Sequence, residues 1–219
     1  MTVEGAGYSM GRGNGDGRIG ISKIKLANGV WKAMGAIDPA LRGYQALKHP
    51  AVREWHKWVL DEYEPRGEVI LLTPCSNRKP YPRSPQSAKI RGVLRRLSLW
   101  DPRGPGHMGA PKGVEWLYLS DLLLLVPYER ATEYPACCYD LPPDAVLGNE
   151  EYRSKITRLL GKALNRLRGR RIVAYLPSKH KRLLIEAVDG EGFGVVWVNY
   201  DLFYGHRRLE ETLRGILGR

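Results

Sequence analysis

Apolar residues between positions 38 and 63 recur at intervals of three and four, with a break at His49-Pro50. This spacing predicts two helices, over about 39–48 and 50–63, because the residue before a proline disfavours the helical conformation. Asp38-Pro39 is a typical helix start, with the Asp as cap and the Pro in the first turn. The aromatic residues of this stripe suit either core packing or base stacking, and packing is the favoured interpretation.

From residue 68 onward, short apolar runs alternate with longer amphipathic segments. This alternation predicts a mostly parallel sheet with helices on both faces, which is a three-layer α/β/α sandwich. A stretch rich in Pro and Gly over 101–113 predicts a surface loop. The predicted strands and apolar runs cover 68–73, 114–120, 122–126, 171–176 and 195–199, and the predicted helices cover 88–97, 150–167, 179–188 and 207–217.

The beginning of the chain differs in composition from the rest. Residues 1–20 are rich in glycine and contain few apolar side chains, which predicts a flexible tail. A short strand or hairpin is expected around 22–31. We therefore divide the chain into this tail, a helical N-terminal extension over 21–66, and an α/β domain over 67–219.

The charge of the chain indicates a class of partner. Its 219 residues include 35 Lys and Arg against 23 Asp and Glu, which gives a formal net charge of +12. An excess of this size favours a polyanion such as nucleic acid, because neutralising phosphates releases their counterions. A basic surface without such a partner is the alternative. A hydrophobic fraction of 43% is ordinary for a protein with a globular core.

Cysteine content and hydropathy indicate the compartment. Three cysteines, of which Cys137 and Cys138 are adjacent, make a poor disulfide framework and show no familiar metal-ligand spacing. The polar start resembles no signal peptide, and no apolar run approaches the roughly 20 residues that span a bilayer. We expect a cytoplasmic protein with reduced thiols, with no membrane partner and with no metal or other cofactor.

The most reactive side chains follow the first predicted strand. Its apolar run ends at Pro74, and the polar loop beyond it contains a thiol, an amine, a phenol and a hydroxyl, from Cys75, Lys79, Tyr81 and Ser84. In open α/β sheets, ligands bind in the crevice at the carboxyl ends of the strands. The loop is therefore a candidate edge of an active site.

Cys75 has a functional and a structural interpretation, and the residues alone leave both open. Arg78 and Lys79 follow it closely, and nearby cations favour the reactive thiolate. A cysteine at a strand end also serves simply as a small hydrophobic residue. Lys79 can donate a proton or hold a phosphate, and Tyr81 can stack on a base.

The spacing within residues 74–87 has a counterpart in a known family. Pro-Cys stands three residues before Lys-Pro-Tyr, which stands two residues before Ser84. This pattern resembles the signature of archaeosine synthase, an archaeal tRNA-modifying family related to tRNA-guanine transglycosylases. The family signature continues with a histidine where this chain has Ser87. The segment 126–142, with Val-Pro-Tyr-Glu, Glu-Tyr-Pro-Ala and Tyr-Asp-Leu-Pro, is similar to a family segment of the same order.

The resemblance implies a fold, a reaction and partners. The fold would be similar to that of uracil-DNA glycosylases, and the partner would be tRNA. The nitrile of 7-cyano-7-deazaguanine in tRNA would become an amidine by addition of an amine donor such as lysine. A partner chain would supply a transglycosylase-like or tRNA-binding domain. Within this motif, the candidate catalytic residues are Cys75, Lys79, Tyr81 and Ser84, and the candidate substrate contacts are Pro74, Ser76 and Ser87. Covalent attack by Cys75 is our hypothesis, and the motif equally permits a structural or substrate-holding cysteine.

Charged side chains elsewhere are candidates for contacts to the nucleotide. Glu129 and Asp140 can accept hydrogen bonds from a guanine-like edge. A surface ion pair is the alternative for Glu129, and a turn is favoured for Asp140. Residues 177–180 follow a predicted strand and open a helix, which suits an anion-binding corner or an ordinary helix start. The candidate nucleic-acid contacts are Arg78, Arg83, Lys179, His180 and Arg207.

The sequence supports three functional hypotheses of different classes. The first is a tRNA-modifying enzyme, or a subunit of one, acting on a 7-deazaguanine base. The second is a catalytically inactive nucleic-acid-binding partner, because Ser87 does not titrate near neutral pH as a histidine does. The fold would have to bring His107, His180 or His206 to the site to replace that histidine. The third is a glycosylase-type hydrolase, which needs an Asp or Asn to activate water.

Overall fold

A central sheet of five strands organises the protein. The computed structural model describes residues 23–25, 31–33, 36–105, 108–142, 144–188, 193–201 and 204–218. The tail predicted over 1–20 and the candidate residue His107 lie outside the described residues. The division of the chain at residues 20 and 66 stays a prediction. Within the described ranges, no helix is long and apolar enough to cross a membrane.

The strands form the central sheet and two short antiparallel pairs. They are β1 (Lys23–Lys25), β2 (Trp31–Ala33), β3 (Val69–Pro74), β4 (Trp100–Asp101), β5 (Ala110–Pro111), β6 (Glu115–Ser120), β7 (Leu124–Pro127), β8 (Arg171–Tyr175) and β9 (Val195–Val198). In the central sheet, β3 lies between β6 and β8 and is parallel to both. β9 extends the sheet in parallel beyond β8, and β7 runs antiparallel beside β6. The predicted mostly parallel sheet is confirmed.

Helices fill the connections between the sheet strands and end the described chain. They are α1 (Pro50–Lys57), α2 (Pro85–Arg96), α3 (Ala145–Gly148), α4 (Glu150–Leu164), α5 (Ser178–Ala187) and α6 (Gly205–Ile216). α2 packs against α6, and α4 packs against α5. The protein is therefore of mixed α/β class, while the three-layer arrangement and the similarity to uracil-DNA glycosylases stay predictions.

Most predicted elements agree with the structure to within a few residues, and the differences have local causes. α2 begins three residues before its predicted start because Ser84 caps it: the hydroxyl accepts a hydrogen bond from the Ser87 N–H at 3.1 Å. The helix predicted over 150–167 finishes as a 3-10 turn, Asn165–Leu167. The loop predicted over 101–113 contributes to the β4 and β5 pair.

The helix predicted over 39–48 is replaced by two 3-10 turns, Pro39–Leu41 and Tyr44–Lys48. Gly43 between them has φ +64°, a left-handed conformation that favours glycine and interrupts a right-handed helix. The second predicted helix is present as α1, which continues in a π-helical turn, Trp58–Glu62. The described N-terminal segment therefore has one α-helix where two were expected.

The N-terminal segment packs on the same core as the sheet. Val52 and Trp55 of α1 are buried in one cluster with side chains of β3 and β7. The Trp55 indole N–H donates to the Leu125 carbonyl at 3.3 Å, and the His56 ring is hydrogen-bonded to the Leu122 carbonyl at 2.6 Å. β3 is buried along its whole length, because a central parallel strand is covered on both faces. Its one polar side chain, Thr73, accepts a hydrogen bond from the Trp116 indole N–H at 2.7 Å.

The packing of α4 on α5 leaves little room at Gly161. A Cβ added there would lie 2.9 Å from the Ala187 carbonyl oxygen, so that a backbone group would have to shift. Gly215 of α6 offers a contrast, since nothing lies within 4 Å of its Cβ position.

We expect Gly161→Ala to lower the free energy of unfolding by about 1–3 kcal/mol, as overpacking does. Gly215→Ala is the matched control and should raise it by up to about 1 kcal/mol, because alanine favours the helix and meets no neighbour there. Urea denaturation followed by circular dichroism measures both changes. Equal stabilisation by the two substitutions would contradict the close approach of α4 and α5.

Candidate active site

Three neighbouring strand ends define the site. Cys75 directly follows β3, and Asp121 directly follows β6. Lys179 and His180 lie in the first turn of α5, which the chain enters soon after leaving β8. After β3, the chain forms β6 on one side of this strand and later forms β8 on its other side. The carboxyl end of β3 is therefore the switch point of the sheet, where the strand order reverses direction. Ligands of open α/β sheets bind at such points.

The Cys75 thiol contacts two side chains. Its Sγ lies 3.4 Å from His180 Nε2 and donates to Asp121 Oδ1 at 3.5 Å. The Cys75 backbone N–H donates to the Leu119 carbonyl at 2.9 Å, which continues the pairing of β3 with β6 and holds the residue in place. Cys75 is half-buried, whereas Asp121 and His180 are only 5% and 6% exposed. The thiol therefore has one face toward two buried polar groups.

Asp121 is held from two directions. Lys179 Nζ donates to Asp121 Oδ2 at 2.8 Å, which leaves Oδ1 for the thiol. The Tyr152 hydroxyl of α4 donates to the Asp121 main-chain carbonyl at 2.7 Å. The carboxylate orientation therefore depends on contacts from α4 and α5, well separated in sequence from Asp121 itself.

The charges around Asp121 favour its ionised form. Burial by itself would raise the pKa of the Asp121 carboxyl, but the charge and hydrogen bond of Lys179, together with the charge of Lys79, outweigh burial and bring the pKa below its usual value. Burial opposes the charge of Lys179 as well, but the neighbouring Asp121 carboxylate raises the pKa of that ammonium overall. The two side chains therefore form a buried ion pair at neutral pH.

The thiol and the imidazole are both neutral at neutral pH. Burial, reinforced by the charge of Asp121, raises the pKa of the Cys75 thiol to about 12, against the opposing effect of Lys79 and Lys179. Burial lowers the pKa of His180 to about 4, although Asp121 acts in the other direction. Proton transfer from Cys75 to His180 would therefore have to accompany the reaction of the thiol, because no ion pair is formed in advance.

Lys79 lies between aromatic rings near the site. Its Nζ donates to the Ser76 carbonyl at 2.8 Å and lies 4.1 Å from the centre of the Tyr139 ring and 5.0 Å from that of Tyr81. Burial lowers the pKa of Lys79, opposed by the charges of Cys75, Asp121 and Asp140. A buried ammonium of this kind releases its proton more readily than an exposed lysine does.

Tyr81 is fully buried and belongs to a chain of hydroxyl groups. Its hydroxyl donates to the Tyr139 hydroxyl, which lies 2.9 Å from Ser120 Oγ. The Tyr81 ring packs against the rings of Tyr118 and Tyr139. The structure thus brings Tyr81 close to Lys79 and leaves its ring face no room to stack on a base.

Ser84 and Ser87 are buried in hydrogen bonds at the start of α2. Ser84 Oγ donates to Ser87 Oγ at 3.0 Å, and Ser87 Oγ lies 2.9 Å from the Tyr118 hydroxyl. These contacts close the helix cap and fill the core. Ser87, at the place of the family histidine, therefore contacts a tyrosine of β6, whereas His180 contacts Cys75.

The remaining predicted residues lie at varying distances from the thiol. Pro74 is buried at the end of β3, Ser76 and Arg83 are half-buried, and Arg78 is exposed. Exposed Asp140 acts electrostatically on Lys79, and exposed Arg207 pairs with Glu211 at 3.0 Å on α6.

Glu129 lies away from Cys75. β7 runs antiparallel beside β6, so the chain has returned toward the start of β6 when it reaches this residue. Its charged neighbours are Glu115 and Arg66, and burial raises the pKa of its carboxyl. The structure therefore does not bring Glu129 together with the side chains at the carboxyl edge.

The ligand atoms of Cys75, Asp121 and His180 lie within 4.8 Å of one another, close enough to hold a metal ion. Thiolate, carboxylate and imidazole are all zinc ligands. Two lysines already supply positive charge here, since Lys179 pairs with Asp121 and Lys79 acts on both Cys75 and Asp121. The arrangement therefore suits proton transfer and nucleophilic attack better than a divalent cation. Cys137 and Cys138 are buried in the core, where their sulfur atoms lie 2.9 Å apart.

Asp121 is the site residue that the sequence analysis missed. It stands between two apolar runs and has the appearance of a turn residue. The sequence could have indicated it, because Asp121 is an acidic residue directly after a buried strand, and Cys75 was selected for the same kind of position. Lys179 and His180 were predicted as nucleic-acid contacts, and the structure places both beside the thiol instead of on an open surface.

Comparisons with known proteins agree with this region of the chain. Residues 52–202 match the family described as a domain of unknown function (DUF5591). The chain is 25% identical over 135 residues to archaeosine synthase subunit alpha of Thermoplasma acidophilum, covering 60% of this chain and 23% of that protein. It is 26% identical over 156 residues to the subunit of the same name from Methanosarcina acetivorans, covering 70% of this chain and 22% of that protein. The predicted relationship is confirmed.

The similarities have a limited extent. The chain spans less than a quarter of the length of these curated relatives, at 23% and 22%. Among solved structures, the crystal structure of AF0587, a protein of unknown function, superposes with a TM-score of 0.50 and 19% identity, covering 72% of this chain and 48% of that one. At this identity, the structural match concerns the fold alone.

The lowered pKa of His180 makes stability depend on pH. In the unfolded chain its pKa is 6.5, and in the folded protein it is about 4. Between these values the unfolded chain binds a proton that the folded protein does not, so stability present above pH 6.5 is lost as the pH falls toward 4. We expect His180→Gln to reduce the loss between pH 7 and 4.5 by up to about 3 kcal/mol, measured by urea unfolding. An unchanged pH dependence would contradict the neutral, buried imidazole.

Proposed function

Because this chain belongs to the family described as a domain of unknown function (DUF5591), and because its relatives include archaeosine synthase subunits, we propose that it modifies tRNA. It acts as an enzyme, or as a subunit of one, on 7-cyano-7-deazaguanine in the tRNA. The nitrile is converted to an amidine by an amine donor. The observation that carries this proposal is the half-buried Cys75 thiol in contact with His180 at the switch point of the sheet.

The proposed chemistry begins with attack of the Cys75 sulfur on the nitrile carbon. A nitrile carbon is electrophilic, and its nitrogen takes up a proton as the new bond forms. The product is a thioimidate, a covalent intermediate of the kind that cysteine nucleophiles produce with unsaturated carbon. The amine donor then forms a bond to the same carbon and expels the cysteine, which leaves the amidine on the base. Both steps balance without an oxidant or a reductant.

Lys79 is the better of the two predicted proton donors. Burial lowers the pKa of its ammonium, whereas burial raises the pKa of the Tyr81 phenol well above its usual value. Tyr81 and Tyr139 then serve to hold Lys79 through their ring faces, at 5.0 and 4.1 Å from Nζ. Ser84 supports the same loop through the helix cap of α2.

Recognition of the base and of the RNA involves the rim of the site. Asp140 is exposed and acts on Lys79, so its carboxylate is available to accept from a guanine-like edge. Ser76 and exposed Arg78 lie on the loop directly after Cys75. The formal charge of +12 supports attraction of the polyanion. A partner chain supplies a transglycosylase-like or tRNA-binding domain. This chain itself has a three-layer arrangement similar to that of uracil-DNA glycosylases.

A second candidate function is a catalytically inactive tRNA-binding subunit. It is favoured by the raised pKa of the Cys75 thiol, about 12, which keeps the sulfur protonated in the absence of a base. Under this alternative, the protein would bind tRNA with a strong dependence on salt, and Cys75 would be dispensable.

The test is incubation with tRNA that carries 7-cyano-7-deazaguanine, together with free lysine, followed by mass spectrometry of the digested nucleosides. We expect a mass gain of one lysine for the native protein and at least a hundredfold lower rate for Cys75→Ala, because the nucleophile is lost. Cys138→Ala is the control, since this second thiol is buried in the core.

Full turnover by Cys75→Ala would overturn the covalent step. An unchanged nucleoside with native protein, in the presence of salt-sensitive tRNA binding, would favour the inactive-subunit alternative. The release of free base would instead indicate a glycosylase.

A further inference from the structure

We propose that His180 is the catalytic base that takes the proton of the Cys75 thiol, and that Asp121 is the residue that positions and stabilises this pair. The inference deepens the proposed function, since it names the proton acceptor of the same site. Neither residue belongs to the Pro-Cys, Lys-Pro-Tyr and Ser pattern that drew attention to the loop after β3. The thiol chemistry that it describes can be tested without tRNA.

In the described part of the chain, the imidazole of His180 has one polar contact within hydrogen-bond range, the Cys75 thiol. Its Nε2 lies 3.4 Å from Cys75 Sγ, within reach of the thiol proton. Within the described part of the chain, the buried Nδ1 has no hydrogen-bond partner. The imidazole is only 6% exposed, and a buried nitrogen without a hydrogen-bond partner lowers the stability of the protein. Because its other nitrogen faces the Cys75 thiol, the ring is placed to react with that thiol.

Each product of proton transfer faces a side chain of opposite charge. The transfer creates a thiolate on Cys75 and an imidazolium on His180. Lys79, from the loop after β3, and Lys179, from α5, both lower the pKa of Cys75 and so favour its thiolate. Asp121, from the end of β6, raises the pKa of His180 and so favours the imidazolium, whereas Lys179 acts against the imidazolium and Asp121 acts against the thiolate. After the transfer, the two anions are the Asp121 carboxylate and the Cys75 thiolate. The three cations near them are the two lysines and the imidazolium of His180.

The position of Asp121 differs from that in a linear catalytic triad. In a triad, the carboxylate accepts from the nitrogen of the imidazole that does not face the nucleophile. Here Asp121 Oδ1 accepts from the Cys75 thiol at 3.5 Å, and Lys179 holds Oδ2 at 2.8 Å. Asp121 therefore acts on the imidazole through its charge, and it orients the S–H group until His180 takes the proton.

With His180 as the base, the replacement of the family histidine by Ser87 no longer argues against catalysis. The motif histidine is absent, but the Ser87 hydroxyl is occupied by Ser84 and Tyr118 inside the core. The imidazole that contacts the sulfur comes from the start of α5, more than a hundred residues after Cys75. Proton transfer from the thiol therefore does not require a histidine in the loop after β3.

The step balances with the residues already named. The S–H bond breaks and its proton moves to His180 Nε2, while the sulfur forms a bond to the electrophilic carbon. With a nitrile, one π electron pair of the C≡N bond moves to nitrogen, which receives a proton from the Lys79 ammonium, and the proton of the imidazolium replaces the one that Lys79 gives up. The imidazole returns to its neutral form, and the net change is addition of the thiol across the nitrile. No further reactant is needed.

The experiment measures alkylation of Cys75 by iodoacetamide at pH 7, quantified by mass spectrometry of the peptide that contains it. We expect His180→Gln to slow the reaction at least tenfold, because general bases commonly contribute rate factors of about 10²–10⁴. Asp121→Asn should slow it by a smaller factor. His206→Gln is the matched control, because His206 is a half-buried histidine of α6 whose ring packs against that of Tyr175. Circular dichroism checks that each variant is folded.

A rescue experiment separates a base from a structural residue. His180→Ala should react slowly, and added imidazole should restore the rate at Cys75 severalfold, because the small base can occupy the vacated space. Rates unchanged in His180→Gln, or a loss in His180→Ala that imidazole does not restore, would overturn the inference.

Failure of this inference and failure of the proposed function give different results. A His180-dependent alkylation without conversion of the nitrile in tRNA supports the base and removes the proposed substrate. Full nitrile conversion by His180→Gln supports the proposed function and overturns the base. Loss of alkylation on removal of zinc by a chelator would overturn the inference in favour of a metal at Cys75, Asp121 and His180.

Discussion

The parallel pairing of β3 with both β6 and β8 is the constraint on which the site depends. Parallel strands place their carboxyl ends at the same edge of a sheet, so residues that follow each strand become neighbours. Cys75, Asp121 and the first turn of α5 meet for this reason, although they are far apart in sequence. β3 suits this central position because it is buried along its whole length and Thr73 is its one polar side chain.

The site combines a buried ion pair, Asp121 and Lys179, with two neutral reactive groups, the Cys75 thiol and the His180 imidazole. Asp121 and Lys179 remain ionised because each compensates the other at 2.8 Å. Cys75 and His180 have no such compensation, so burial keeps the thiol protonated and the imidazole neutral. The sulfur is thereby protected from indiscriminate reaction, and it becomes a nucleophile when a substrate carbon and a proton acceptor are both in place. This property suits a cysteine that reacts only with a bound substrate.

The relatives place the chain among proteins several times its length, which it matches over less than a quarter of their sequence. Within this part, the reactive loop after β3 agrees with the family pattern up to Ser84 and departs from it at Ser87. The departure falls on a position whose side chain is a hydrogen-bond partner in the core. A substitution there changes core packing and the cap of α2, while the polar contacts of Cys75 come from β6 and α5.

The sequence by itself determined the class of the fold, because strand and helix periodicities are local and β3, β6 and β8 are rich in apolar residues. It also determined Cys75 and Lys79 as candidates, since Cys75 directly follows a buried strand and Lys79 lies in the loop after it. It was wrong about the helix over 39–48, where the positive φ of Gly43 ends the helical path. Only the tertiary structure decided that Asp121 and His180 accompany Cys75, and that Glu129 lies away from it. Strand order carries this information, and strand order depends on pairings between segments that no local pattern encodes.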